Sequence, residues 1–308
     1  MADFPPRKRI PTYASDRRMS VDTIYRKLVY LAEHGWNLQT IFVQQDVTKG
    51  GVTLDLPIVS LTTKKKGLAL WLISGIHGEE PAGVNALAKS VRFLHTLGRR
   101  IPVVLLPLCN PKGYRKNWRY PYQRYRPRDL RAPVLAVGAS EHLLLDTSGK
   151  KARISRAESV EADTITRHVL HLVKEYPPSL VIDLHEDWSK RGLYIYSQGR
   201  LGHNDPVAQE IVAILRRHNT SIQKDGVTRF GERIVNGIVT GVSDGSLDEL
   251  LAAKKIIVDH KIVTKTVPKT VVVVETISFG VPLRKRISIH QEIVHSLKKF
   301  WSLAKKIK

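Results

Sequence analysis

The feature that most constrains the fold is an alternation of strand-like apolar segments with helix-like segments. Segments such as ALWLISGI, PVVLLPL and TVVVVET are apolar enough to be strands covered on both faces. Further strands are predicted at IFVQQDV and VTLDLPIVSL, which a Gly-Gly turn separates, and at LVIDLH and GLYIYSQ. Helices are predicted at Ser20–His34, Pro81–Leu97, Glu158–Tyr176, Pro206–His218 and Ser288–Ile307. Strands that alternate with helices predict an α/β sandwich with a largely parallel central sheet.

The length of the chain allows one or two domains, and the sequence favours one. Its 308 residues, 42% of them hydrophobic, are enough to bury a large core, and no repeat or low-complexity linker divides them. No apolar run is long enough to predict a membrane span, and the basic N-terminus lacks the apolar segment of a secretory signal. Cys109 is the only cysteine, which excludes an internal disulfide and makes a reducing cytoplasm the expected location.

The net charge is strongly positive: the chain has 50 Lys and Arg residues and 28 Asp and Glu residues, which gives +22. Such a field attracts anions, whether nucleic acid, anionic lipid headgroups or an acidic substrate. An organism whose proteins are basic throughout explains the charge equally well, since the basic residues are spread along the chain. Two local basic clusters stand out, at 115–131 and 298–308.

Three of the predicted strands end in acidic or imidazole side chains. His77 and Glu80 follow LWLISGI, His185 follows LVIDL, and Glu275 follows VVVV. Ligands of open α/β sheets bind at the carboxyl ends of strands, so these side chains are expected to meet at one edge of the sheet. His77 and Glu80 are three residues apart at a strand-to-helix junction, where both can turn toward one point.

These residue types fit a catalytic zinc site. Two imidazoles and one carboxylate, from His77, Glu80 and His185, leave zinc an open fourth position for water. Glu275 is then the carboxylate that takes the proton from that water. Asp183 lies two residues before His185 on the same strand face and is expected to hold the other nitrogen of that imidazole.

Each of these residues also has a structural explanation when it is taken alone. A His-x-x-Glu pair arises by chance, and a histidine at a strand end can be a hydrogen-bonded structural residue. Glu275 can pair with one of the many basic side chains. The set as a whole favours a metal site, because all of its members fall at strand ends.

Five motifs together resemble the zinc carboxypeptidase family, the carboxypeptidase A-like fold, which also contains succinylglutamate desuccinylases and aspartoacylases. GIHGEEPAG is similar to the family's first zinc motif, IDLHED to the segment with its second histidine, and VVVVETIS to the strand with its general-base glutamate. PLCNPKGY resembles its Asn-Pro-x-Gly-Tyr/Phe segment, and NWRY resembles the stretch with an oxyanion-stabilising arginine. The likeness covers about residues 18 to 300.

The resemblance implies one catalytic domain, residues 18–308, after a basic N-terminal extension, residues 1–17. It also implies a twisted mixed sheet with helices on both faces and one zinc ion per chain at the strand ends. The residues carried over by position are the zinc ligands, the general base and acid, and the arginine that polarises the scissile carbonyl: His77, Glu80 and His185; Glu275; and Arg119. The implied reaction is hydrolysis of an amide near a free carboxylate.

Two departures from the family pattern bear on the substrate. The Asn-Arg pair that grips the substrate carboxylate is replaced by YRPRDLRAP, in which Arg126 and Arg128 are candidate substitutes or, equally, surface charge. The tyrosine usual on a loop before the last strand is also absent, since no tyrosine follows Tyr196. The loop TGVSDGSLDELL takes its place, with Asp244 as a candidate contact for an amine or a polar group. A deacylase or a specialised amidase is therefore favoured over a standard C-terminal exopeptidase.

The sequence thus predicts a zinc-dependent amide hydrolase that acts on a small acidic peptide or an N-acyl amino acid. The alternative is a catalytically inactive relative that binds an anionic polymer such as nucleic acid through its basic surface. Nucleic acid is not favoured, because no recognised nucleic-acid-binding motif is present and the aromatic residues among the arginines at 118–125 can equally line a pocket. An inactive relative is also expected to have lost a ligand or the base, whereas this chain keeps all four residues.

Overall fold

A mixed sheet of ten strands forms the centre of the protein, in a computed structural model that describes residues 16–120, 159–187, 192–228, 230–241, 245–258 and 261–307. Two further strands, Lys255–Val258 and Lys261–Thr264, pair antiparallel in a separate two-stranded sheet. The strands are β1 (Asn37–Val47), β2 (Thr53–Thr62), β3 (Ala69–Ser74), β4 (Val103–Leu106), β5 (Pro178–Asp187), β6 (Ile195–Ser197), β7 (Gly226–Val227), β8 (Arg233–Val235), β9 (Ile238–Val239), β10 (Lys255–Val258), β11 (Lys261–Thr264) and β12 (Thr270–Ile277).

The α-helices within the described residues number nine. They are α1 (Val21–Glu33), α2 (Pro81–Lys89), α3 (Val91–Gly98), α4 (Pro111–Lys116), α5 (Val160–Glu175), α6 (Pro206–Arg217), α7 (Leu247–Ala252), α8 (Leu283–His295) and α9 (Leu297–Lys306). Sequence signals explain several of their ends. The Ser20 side chain accepts a hydrogen bond from the Thr23 N–H at the start of α1, and Asp205 caps α6 in the same way.

The order of the strands in the sheet is β1-β2-β4-β3-β5-β12-β6-β9-β8-β7. The four central strands β4, β3, β5 and β12 run parallel to one another, whereas β2 pairs antiparallel with β4 and β6 pairs antiparallel with β12. The prediction of a single α/β domain around a mixed sheet is confirmed. Because β3, β5 and β12 are parallel neighbours, their carboxyl ends lie at one edge of the sheet.

Alternate residues of the central strands contribute to two cores, one on each face of the sheet. Leu180, Ile182 and Leu184 of β5 pack in one core with the apolar faces of α1, α2, α3, α6, α8 and α9. Val181 of β5 and Trp71 of β3 pack in the other core with α5 and α7. Both faces of the sheet are therefore covered by helices, which explains why the central strands are almost entirely apolar.

Two helices predicted as continuous are each divided in the structure. The segment predicted as one helix over Pro81–Leu97 is broken at Ser90, whose φ of −104° and ψ of 14° lie outside the helical region and whose Oγ is 3.2 Å from His295 Nε2. The C-terminal helix begins at Leu283, directly after Pro282, and is divided at Ser296. Its predicted apolar face is correct, since all of its members are buried: Ile289, Ile293, Leu297, Phe300, Ala304 and Ile307.

Two expectations from composition concern membrane-spanning helices and the single cysteine. None of the described helices combines the length and the apolar character needed to cross a bilayer. Cys109 is buried, with its Sγ 3.9 Å from the Leu106 carbonyl oxygen. Most of the predicted extension at 1–17 lies outside the described residues, and the boundary at residue 18 stays a prediction.

Candidate metal centre

The parallel centre of the sheet brings the predicted site residues to one edge. In the pairing of β5 with β12, Glu275 lies directly opposite His185, and Ser74 at the end of β3 lies opposite Leu184. The loop after β3 then carries His77 and Glu80 to the same place. These residues, far apart in sequence, therefore meet because three neighbouring strands end together.

The ligand atoms of His77, Glu80 and His185 all lie within 4.8 Å of one another. His77 Nδ1 is 2.9 Å from Glu80 Oε1, and His185 Nδ1 is 2.9 Å from Glu80 Oε2. The two Nδ1 atoms are 3.2 Å apart, and all three side chains are buried. Two imidazole nitrogens and both oxygens of one carboxylate thus point at a single small volume.

Asp183 is the partner of the His185 ring nitrogen that faces away from Glu80. Asp183 Oδ1 lies 3.1 Å from His185 Nε2, so the carboxylate favours the tautomer with the proton on Nε2. With Nε2 beside Asp183, the Nδ1 atom of His185 is the nitrogen directed at Glu80 and His77. Two imidazoles and one carboxylate at these distances form a donor set that fits zinc.

The pKa shifts of the two histidines agree with a site built for positive charge. Burial lowers the pKa of His77 to about 4, and the nearby Arg119 guanidinium adds to the effect, so this imidazole is a neutral ligand at pH 7. Burial opposes protonation of His185, but Asp183 and Glu80 outweigh it and raise its pKa well above the usual range. The position between these two carboxylates therefore favours a positive charge, which either a proton or a bound metal ion would supply.

The loop that carries His77 and Glu80 is held by very close packing at Gly78. A Cβ atom on Gly78 would lie 2.0 Å from the main-chain carbon of Gly113, so no other residue fits there without displacing the backbone. The buried Arg18 side chain spans the same junction, with NH1 3.4 Å from the Gly78 carbonyl oxygen and 3.0 Å from that of Tyr114. The position of the two ligands is therefore fixed by segments that carry no ligand.

The motif PLCNPKGY has a clear structural purpose in this arrangement. The Asn110 side chain accepts a hydrogen bond from the Gly113 N–H and so caps α4, and its Nδ2 donates to the Arg119 carbonyl oxygen at 3.1 Å. The Gly78 N–H donates to the same carbonyl at 3.3 Å. The main chain at Arg119 is thus tied to the ligand loop.

The Arg119 side chain lies at the candidate site, against the Glu80 carboxylate. Its NH1 is 2.9 Å from Glu80 Oε1 and 3.5 Å from Glu79 Oε1, and its Nε is 3.3 Å from the Tyr120 hydroxyl. The pKa of Arg119 is raised: burial opposes its charge, and Glu80, Tyr120 and Glu79 more than offset that. Arg119 is therefore a fixed cation at the rim of the candidate metal centre.

Glu275 is the carboxylate beside the ligand set. Its Oε2 atom is buried and, among the described residues, has no hydrogen-bond partner. Burial raises the pKa of Glu275 well above its usual range, although His185 opposes the shift. A carboxyl group with a raised pKa and an oxygen free to accept a proton is suited to proton transfer near neutral pH.

The predicted substrate-binding residues lie in parts of the chain that the structure does not describe. Arg126, Arg128 and Asp244 all lie outside the described residues, and their roles stay predictions. Arg115, which begins the arginine-rich stretch, pairs with Asp46 in the structure rather than pointing a free charge at the site. Of the arginines in the basic cluster at 115–131, Arg119 is the one that the described part of the chain places at the candidate metal centre.

Sequence reasoning missed Glu186, which contacts the main chain and side chains around Glu80. A signal for it was present in IDLHED. Glu186 is one residue beyond His185, so its side chain points to the opposite face, where Leu184 and Ile182 are buried in a core. An acidic residue at a core-facing position needs a buried partner.

Comparisons with solved structures agree with this fold. The chain is similar to a candidate metallopeptidase from Shewanella amazonensis SB2B, with a TM-score of 0.66 and 20% identity over 91% of this chain and 92% of that one. A candidate metallopeptidase from Shewanella baltica OS155 gives a TM-score of 0.67 and 18% identity over 92% of each chain. Carboxypeptidase A from Helicoverpa armigera gives a TM-score of 0.57 and 14% identity over 94% of this chain and 74% of that one.

No model of a known protein family matches the sequence, and no curated protein matches it. The structural similarity, at identities of 20% and below, shows the fold. This chain therefore has the zinc carboxypeptidase-like fold, and its His77–Glu80–His185 group is suited to bind a metal ion.

Proposed function

We propose that the protein is a zinc-dependent amide hydrolase that binds one zinc ion per chain through His77, Glu80 and His185. The substrate proposed is an acidic peptide or an N-acyl amino acid with a free carboxylate close to the scissile amide. The observation that carries the proposal is the convergence of His77, Glu80 and His185 within 4.8 Å, with Glu275 of β12 directly opposite His185 of β5. A catalytic site needs the ligands and the base side by side, and the central strands provide both.

The chemistry proposed for the chain's own residues is the transfer of one proton from water to the leaving nitrogen through Glu275. When bound, zinc supplies a Lewis acid that polarises a carbonyl group and acidifies water. Glu275 accepts a proton from water at its Oε2 atom as the water oxygen attacks the amide carbon. The same carboxyl group then delivers the proton to the leaving nitrogen as the carbon–nitrogen bond breaks, so the products are a carboxylate and an amine.

Arg119 is proposed to stabilise the negative charge that develops on the carbonyl oxygen. In the structure its guanidinium lies against Glu80 and Glu79, next to the Tyr120 ring, with its carbonyl oxygen anchored by Gly78 and Asn110. A fixed cation in a partly buried site stabilises such charge more strongly than a mobile one in water. Arg126 and Arg128 are proposed to bind the substrate carboxylate, because arginine pairs with carboxylate through two parallel hydrogen bonds.

Three substrate panels test the proposal: acidic peptides blocked at the C-terminus, acidic peptides with a free carboxylate, including γ-linked ones, and N-acyl amino acids. We expect turnover of free-carboxylate peptides or N-acyl amino acids by the zinc-loaded protein, and turnover about 10²–10⁴-fold slower by the Glu275→Gln variant. Values of kcat/KM are expected to fall as salt rises, since exposed charges are screened beyond about 8–10 Å.

Two results would contradict the proposal. Equal activity on neutral, C-terminally blocked substrates would exclude a role for the substrate carboxylate. Absence of hydrolysis in every panel, together with tight and salt-sensitive binding of nucleic acid, would favour the inactive, polymer-binding alternative that the charge of +22 suggests.

A further inference from the structure

Glu80 occupies a position where an acidic side chain normally caps its own helix. It is the N-cap residue of α2, which begins at Pro81, yet its side chain makes no capping hydrogen bond. Both carboxylate oxygens are turned instead toward His77 and His185. The first turn of α2 therefore has main-chain N–H groups that its own N-cap residue does not satisfy.

Glu186 supplies the missing cap from the neighbouring strand. Its Oε2 atom accepts a hydrogen bond from the Ala82 N–H at 2.8 Å. The main-chain N–H of Glu186 donates to Glu80 Oε2 at 3.2 Å. One residue thus holds both the helix that follows Glu80 and the carboxylate of Glu80 itself, directly beside His185.

The second oxygen of Glu186 is held by Arg286 of α8. The Arg286 guanidinium pairs with Glu186 Oε1, and its Nε donates to the Val281 carbonyl oxygen at 3.1 Å. Both side chains are almost fully buried, with exposures of 4% for Glu186 and 7% for Arg286. A buried ion pair of this kind adds little net stability compared with apolar residues of the same size, so its presence calls for another reason.

We infer that Glu186 is a positioning residue that sets the separation of the two metal-ligand segments, with Arg286 fixing its carboxylate. The inference rests on the proposed metal centre at His77, Glu80 and His185. Because Glu186 satisfies the α2 terminus, the Glu80 carboxylate is released from capping and held for the metal. An ion pair that served stability alone would need only the Arg286 contact, whereas the Glu186 carboxylate also accepts the Ala82 N–H, directly after Glu80 and Pro81.

The test separates the cap from the ion pair with two double variants. Glu186→Leu/Arg286→Met and Glu186→Gln/Arg286→Met both remove the buried pair, but only Gln keeps an oxygen that can accept the Ala82 N–H. Zinc dissociation constants are measured by competition with a chelator, on variants whose folding is checked by circular dichroism. The visible spectrum of the cobalt-loaded protein gives a second readout of ligand geometry. If the Leu variant does not fold, Glu186→Met in the same background replaces it.

We expect the Leu variant to bind zinc about 10–100-fold more weakly than the wild type, the usual effect of losing a group that orients a metal ligand. The Gln variant should recover most of that loss, and its cobalt spectrum should match that of the wild type. Asp205→Ala is the matched control, because Asp205 caps α6 with a 2.8 Å hydrogen bond from the Val207 N–H and α6 carries no proposed ligand. It should lower stability and leave zinc affinity unchanged.

Equal zinc affinity in folded Leu, Gln and wild-type proteins would overturn the inference and leave the metal centre intact. Failure of the wild type itself to bind zinc would instead contradict the proposed function. The two failures are therefore distinguishable in one set of titrations.

Discussion

Replacement of Glu80 by Gln keeps the side-chain volume but should remove most of the stabilisation that zinc gives to the folded state. One carboxylate oxygen becomes an amide nitrogen, which has no lone pair for a metal, while both oxygens of the native side chain lie 2.9 Å from a histidine Nδ1. Loss of the negative charge and of one of the two oxygens of Glu80 should weaken zinc binding at least as much as the loss of an orienting group, so by about 100-fold.

The size of the expected thermal effect follows from mass action. Free zinc at about 100 times the wild-type dissociation constant stabilises the folded state by about 2.7 kcal/mol. An unfolding entropy of about 2.1 cal/mol/K per residue gives about 0.65 kcal/mol/K for 308 residues, so zinc should raise the wild-type Tm by about 4 °C. At the same zinc concentration, a 100-fold weaker site is only half occupied, and the shift falls to about 0.6 °C.

The assay is thermal unfolding with and without zinc, together with metal analysis of the protein as purified. Glu79→Gln is the matched control, because Glu79 also contacts Arg119 but is not among the converging ligands. It should keep the full zinc-induced shift. A Glu80→Gln protein with the wild-type shift and one zinc per chain would refute the assignment of Glu80 as a ligand.

Three further substitutions test separate parts of the site. Glu275→Gln should retain fold and zinc but lower kcat by about 10²–10⁴-fold, because an amide cannot accept the proton; near-normal turnover would make Glu275 structural. Arg119→Ala should lower kcat more than it raises KM, with a loss of about 2.7–4 kcal/mol in transition-state stabilisation at unchanged zinc content; an effect on KM alone would mean that Arg119 binds the ground-state carboxylate. Gly78→Ala should lower the free energy of unfolding by about 1–3 kcal/mol in urea titrations, since the new Cβ would meet Gly113 at 2.0 Å; unchanged stability would show that the two loops separate easily.

The fold could be predicted from the sequence where a local pattern determines it. The apolar face of the C-terminal helices and the buried strands followed from residue periodicity and β-branched composition. The divisions at Ser90 and Ser296 did not follow, because tertiary contacts such as that of Ser90 with His295 outweigh helical periodicity. Strand order was also beyond the sequence, since nothing in VVVVET states that β12 lies beside β5.

The candidate site could be predicted in its parts but not in its connections. Polar residues at strand ends identified His77, Glu80, His185 and Glu275, because buried strands rarely end in such groups without a reason. The contact of Arg119 with Glu80 was not visible, since it depends on how the α4 segment is tied to Gly78. Roles of this kind require the positions of residues that are distant in sequence.

Successive side chains of β5 point to opposite faces of the sheet, so this one strand can contribute both to the proposed metal centre and to the contacts that hold α2. Asp183 and His185 face one side of the sheet, where they join Glu275, and Glu186 faces the other, where it holds α2. Burial of Asp183, His185 and Glu186 is costly, and each of them has a partner within hydrogen-bond distance that offsets part of the cost. A strand that was needed only for packing would carry valine or leucine at these positions. The concentration of charged groups at the carboxyl end of β5 is therefore consistent with the proposed metal centre, which would need these groups even though their burial lowers stability.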